Sequence, residues 1–205
     1  MNDIKIDWKI PNPRSGWRGK IDKIIGPGAT SAEKALQLWV PILAIAIVCG
    51  IGLYQGYEWT WGQYTVAAFL ALDMVGGIAT NLTSAAKRWN FRPENGFKQH
   101  MFFIGLHIVQ LTLFSYFFLD FDLIWIAMVY GYLMLSIAFI LAWPLYLQRP
   151  VSGMVYALSI ALSLYVFESP QHLEWFLPLF FFKLQISHAV REEPYGPNNT
   201  TSSNK

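Results

Sequence analysis

Residues 123–145 read LIWIAMVYGYLMLSIAFILAWPL, an uninterrupted run without a single charged side chain. A helix that crosses a bilayer needs about 20 mostly apolar residues, within a range of roughly 17–25. Lipid offers no water to backbone amides and carbonyls, so a run of this kind satisfies them internally as a helix. Read outward in windows of the same size, the chain offers six such segments: Leu36–Tyr54, Gln63–Ala86, Gln99–Leu119, Leu123–Leu145, Val151–Phe167 and Leu173–Val190. Breaker residues separate several of them, as in Arg92-Pro93-Glu94-Asn95-Gly96, Arg149-Pro150 and Ser169-Pro170.

Composition agrees. Of 205 residues, 54% are hydrophobic and only 14% charged, against about 25% charged in an average soluble domain. A net charge of +2 is too small to suggest a nucleic-acid partner. The single cysteine, Cys49, rules out an intrachain disulfide and a Cys-rich zinc site. The expected fold is an all-α polytopic membrane bundle of six spans.

Basic residues orient such a bundle, because Lys and Arg near the spans stay on the cytoplasmic side. With the N-terminus inside, the loops on that side carry Lys87, Arg88, Arg92, Lys98 and Arg149, and the two ends carry most of the remaining cations. The outer loops hold no Lys or Arg, only Glu58, Asp120, Asp122, Glu168 and Glu174. Both termini are therefore expected in the cytoplasm of a cell-membrane protein, with no cleaved signal. Three regions follow. Residues 1–30 form a cytoplasmic segment in which Trp17, Ile21, Ile24 and Ile25 recur at helical spacing, the pattern of an interfacial amphipathic helix. Residues 31–193 hold the spans, opened by a Thr30-x-x-Glu33 capping box and kinked at Pro41. Residues 194–205 are a polar tail expected to be disordered.

Each polar group inside a span needs a reason, since a charge at the centre of a membrane helix costs about 2.5–3.5 kcal/mol on insertion scales. In the second span Asp73, Gly76, Gly77, Thr80, Asn81 and Ser84 share one face. The glycines suit close helix packing; Asp73 is not needed for packing and is the candidate acid, base or ligand. In the third span His100, His107 and Gln110 lie along a common face. Two histidines seven residues apart stand about 10 Å apart along a straight helix, too far to share a metal without a bend. In the sixth, Gln185, His188 and Glu192 fall on one side, so His188 and Glu192 suggest an acid–base or ligand pair. Lys183 either extends to the headgroups or serves the pocket.

At 1.5 Å per residue, Asn81 lies roughly 8 Å below the inner boundary, Lys183 about 10 Å and His107 about 13 Å. Asp73 and Gln110 lie at roughly 18–20 Å, which predicts a deep Asp73–Gln110 hydrogen bond. Asn81, His107 and Lys183 are expected to converge nearer the cytoplasm, with His100, His188 and Glu192 at the mouth.

No G-x-S-x-G elbow, Walker A loop, G-x-G-x-x-G turn or H-E-x-x-H motif is present. Three functions fit. The first is a membrane enzyme acting on a lipid-soluble substrate, lipid or isoprenoid-like, by acid–base or metal-assisted chemistry at a cytoplasm-facing intramembrane site. Its catalytic residues are Asp73, His107, His188 and Lys183, and its substrate-binding residues are Asn81, Gln110 and Glu192. A divalent metal is an open question. The second is a small-solute or proton-coupled transporter, and the third a non-catalytic membrane subunit or scaffold.

Overall fold

A computed structural model describes residues 6–195. The described chain is helical, and the one β-bridge joins Ile6 to Tyr195. Helix α1 covers Gly16–Ile25, α2 Ser31–Gln55, α3 Trp61–Asn81 and α4 Ser84–Asn90. Then come α5 (Phe97–Gly105), α6 (Ile108–Phe118), α7 (Leu123–Ala142), α8 (Leu145–Tyr165) and α9 (Phe176–Phe181). From α9 the chain runs directly into a π-helical stretch, Phe182–His188. Most of the tail expected to be disordered, residues 196–205, lies outside the described residues.

Four segments are long and apolar enough to cross a membrane: α2, α3, the α5–α6 pair and α7. The chain is thus compatible with a membrane protein. The fifth and sixth expected spans correspond to α8 and to α9 with its π-helical extension. The polar Gln148-Arg149-Pro150 lies in the first turns of α8, and α9 is only six residues long before the winding changes.

Local chemistry accounts for the helix starts. Thr30 Oγ1 accepts from the Glu33 amide and Glu33 accepts from the Thr30 amide, so the expected capping box forms. The other Glu33 oxygen accepts from Ala85 N, 3.0 Å away, so one carboxylate serves the first turns of both α2 and α4. Glu33→Ala is expected to lower stability in detergent by about 1–2 kcal/mol, the cost of losing a cap; thermal unfolding measures it. Asp122 caps α7 by accepting from the Ile124 and Trp125 amides. Pro41 lies inside an uninterrupted α2, and its ring packs where a Gly76 side chain would stand.

The core lies between α3, α6, α7 and α9, where Phe114 stacks on Phe176 at 4.2 Å and on Trp125 at 5.3 Å. In contrast, α2 packs mainly on α3 and leaves Leu38, Trp39, Leu43 and Leu53 exposed.

Helix α1 is amphipathic, and the side it turns to the protein is small and polar. Gly19 and Asp22 are buried, whereas Trp17 and Ile24 point outward. Arg14 donates to both Asp22 oxygens, and these hydrogen bonds hold the carboxyl down to about 2. The helix stops at Gly26, whose φ of +90° and close approach to the Ala85 backbone leave no room for a side chain.

Candidate functional site

Three helices carry polar residues into the bundle, and each departs from α geometry near them. The backbone breaks between α3 and α4 at Leu82-Thr83 and between α5 and α6 at Leu106-His107. The last helix widens to π winding from Phe182. Irregular backbone at membrane depth is tolerated where protein covers it or where it lines a cavity, and π-helical insertions concentrate at functional sites.

At the centre is Asp73. Lys183 Nζ lies 2.7 Å from Asp73 Oδ2, and Gln110 Nε2 donates to the same oxygen at 3.1 Å. The expected Asp73–Gln110 bond is therefore present, with Lys183 as the counter-charge. Lys183 is buried, so of the two placements expected for it, headgroup or pocket, it takes the pocket. Its stem crosses α3 at Gly77, where an added Cβ would stand 2.4 Å from Lys183 Cε. Gly77 thus keeps open the lane through which the ammonium reaches Asp73. The expected result of Gly77→Ala is a folded protein with Lys183 displaced from Asp73, since the obstructed atom belongs to a flexible side chain. Thermal unfolding and a structure of the variant test this.

Both bonds to Asp73 end on Oδ2, so Oδ1 has no hydrogen-bond partner among the described residues. Asp73 lines a cavity of about 600 Å³ together with Thr80, Asn81, Phe103, His107 and Lys183. The C-terminal end of α1 closes one side, through Lys23, Ile24 and Ile25. Gln37 ties that end to the bundle: it donates to the Ile25 carbonyl at 3.1 Å and accepts from Thr80 Oγ1 at 3.4 Å.

His107 sits at the α5–α6 break. Its Nδ1 lies 3.1 Å from the Phe103 carbonyl, which can only accept; Nδ1 therefore carries the proton, and Nε2 is the basic nitrogen of the neutral ring.

The chain matches no protein-family model, no curated protein and no solved structure.

One expected grouping does not form. His188 does not pair with Glu192; its Nε2 lies 3.2 Å from His100 Nδ1, and its ring stacks on Phe103 at 4.3 Å. The reason is that the helix ends at His188, so Glu192 lies beyond it in non-helical chain and the i, i+4 relation is lost. Asn81, His107 and Lys183 line one cavity, although their hydrogen bonds go elsewhere: Asn81 accepts from Asn90, and Lys183 donates to Asp73. Asn81 and Gln110 line the cavity, whereas His188 and Glu192 do not. Among the described residues, no three His, Cys, Asp or Glu side chains come together to hold a metal ion.

Sequence reasoning missed Gln37, Asn90 and Phe103. Gln37 carried a usable signal, as an amide one turn before Pro41 in an otherwise apolar helix. In α8 Ser152, Ser159 and Ser163 are buried, and Ser159 joins Gln185, Ser136 and Tyr132 in a hydrogen-bond network away from the cavity.

Proposed function

We propose that this chain is a six-span integral-membrane enzyme with both termini in the cytoplasm, acting on a lipid-soluble substrate by acid–base chemistry beside Asp73 and Lys183. The charge asymmetry of the loops supports the topology. So does the meeting of Ile6 with Tyr195, because the two ends of the described chain share a side only if the number of crossings is even.

One observation carries the chemical reading. A charge-balanced Asp73–Lys183 pair borders a cavity of about 600 Å³, well within the range of small-molecule sites. An ion pair placed for stability alone has no need of a cavity. In this reading His107 Nε2 takes a proton from a substrate hydroxyl or from water. The Lys183 ammonium stabilises the oxyanion that develops, and acts strongly because little water reaches it. Asp73 holds that ammonium in place and offers Oδ1 as a second acceptor. Gln110 and Asn81 orient the polar end of the substrate, and Leu72 and Leu106 give the cavity its apolar wall.

The test is turnover. Purified protein is mixed with a total membrane lipid extract in detergent micelles and followed by mass spectrometry. The expected result is the decline of one lipid class with the growth of a product, abolished by His107→Ala. A transporter is the second reading, favoured by the helix breaks at Leu82-Thr83 and Leu106-His107, since interrupted helices form many transporter sites. An unchanged lipid profile, with proton movement in proteoliposomes that is lost in Asp73→Asn, would replace the enzyme reading with this one.

A further inference from the structure

Arg88, in α4, is only 7% exposed, yet its Nε has no hydrogen-bond partner among the described residues. No carboxylate of the described residues lies within ion-pair distance of its guanidinium. A guanidinium is always charged, and burying it without a counter-charge is strongly unfavourable. Glu33 lines the same cavity of about 500 Å³, but its two oxygens already accept from the Thr30 and Ala85 amides. Glu33 keeps its charge, but it lies beyond ion-pair distance of Arg88 and faces the amides that open α2 and α4. Ser84 also borders it; its hydroxyl accepts from the Tyr195 amide and keeps a proton to donate.

The opposite end of this cavity is apolar, formed by Leu36, Val40, Ala79 and Leu82. Val40 also lines a second hollow of about 580 Å³, which continues along α2 past Ala44 and Ile51 and is floored by Ala71 and Val75. From Leu36 to Ile51 the combined track runs roughly 22 Å at 1.5 Å per residue. It uses the α3 face bearing Ala71, Val75, Ala79 and Leu82, not the face bearing Asp73, Gly77 and Thr80.

We infer that this track is a binding site for one anionic phospholipid, with its phosphate on Arg88 and an acyl chain along α2. This cation, unpaired among the described residues, calls for an anion. The apolar extension calls for a chain attached to that anion, and Glu33, held by the amides that open α2 and α4, is a weak acceptor for the ammonium of a zwitterionic headgroup. The site stands apart from the Asp73 chemistry and does not depend on it.

Native mass spectrometry of the full-length protein tests the inference, with phosphatidylglycerol and phosphatidylcholine of identical chains as probes. The wild type is expected to retain one phosphatidylglycerol with about fivefold preference, the factor that one Lys or Arg contributes at an anionic membrane surface. Arg88→Gln is expected to abolish the preference. Val40→Trp, which fills the joint between the two hollows, is expected to lower retention of both lipids, and it carries the test if Arg88→Gln does not fold. Millimolar inorganic phosphate is expected to leave the lipid in place. Equal retention of the two lipids by wild type, an unchanged preference in folded Arg88→Gln, undiminished retention in Val40→Trp, or displacement by phosphate alone would overturn the assignment.

Discussion

Lys183→Met is expected to destabilise the detergent-solubilised protein by about 3 kcal/mol, and Asp73→Asn/Lys183→Met to recover most of that loss while remaining inactive. Breaking a buried ion pair from one side costs about 3–5 kcal/mol, because the remaining charge is left without compensation. The lower end applies here because 26% of the Asp73 side chain is exposed to the cavity. Removing both charges leaves two neutral side chains of similar size, which proteins commonly tolerate with little loss. Stability and function then separate. The double variant unfolds near the wild-type temperature and turns nothing over, as expected if the pair is kept for chemistry. Thermal unfolding of the two single variants and the double variant, with turnover on the same samples, measures both quantities and the coupling between them.

The second large effect is expected at Lys87. Its Nζ donates to the Ser187 carbonyl at 2.7 Å and to the Val190 carbonyl at 2.6 Å, at the end of the π-helical stretch. The Ser187 carbonyl is one that a helix terminus leaves without an intrahelical partner, and the Val190 carbonyl belongs to the non-helical chain that follows. Lys87→Met strands both, and the expected loss is about 2–4 kcal/mol, given roughly 1.5–3 kcal/mol for a hydrogen bond from a charged group. Burial also pushes the Lys87 ammonium down to about 8. The unfolded chain therefore binds more protons than the folded one between about pH 8 and the ordinary lysine value. This group's contribution to stability thus rises with pH across that window and falls as pH drops back through about 8. Above pH 8 the neutral amine still donates to both carbonyls. Comparison of wild-type and Lys87→Met unfolding at pH 7 and pH 9.5 checks the sign.

These two lysines also mark how much of the molecule was legible in the sequence. The apolar run at 123–145, the Thr30–Glu33 box and the Asp73–Gln110 bond follow from hydropathy, capping chemistry and helical rise, all local or one-dimensional rules. Lys183 required direction as well as depth. Side chains lean toward the N-terminus of their helix, so Lys183 points back along the last helix toward Asp73, and counting residues from the inner boundary misplaced its ammonium. His188 meets His100, its expected neighbour at the mouth, but its pairing with Glu192 assumed a helix that continues past His188, where the helix in fact ends. Gly77 was readable as a packing glycine; that the group it admits is the stem of Lys183 became clear only with the helices in place. The interruption at Leu106-His107 carries no Pro or Asn as a warning.

The most direct test of the central claim, that the Asp73–Lys183 pair serves membrane-embedded chemistry, is lipid turnover by the folded Asp73→Asn/Lys183→Met variant beside wild type in the same micelles. The account predicts conversion of one lipid class by wild type and none by the variant at an equal unfolding temperature. Equal conversion by both would contradict it.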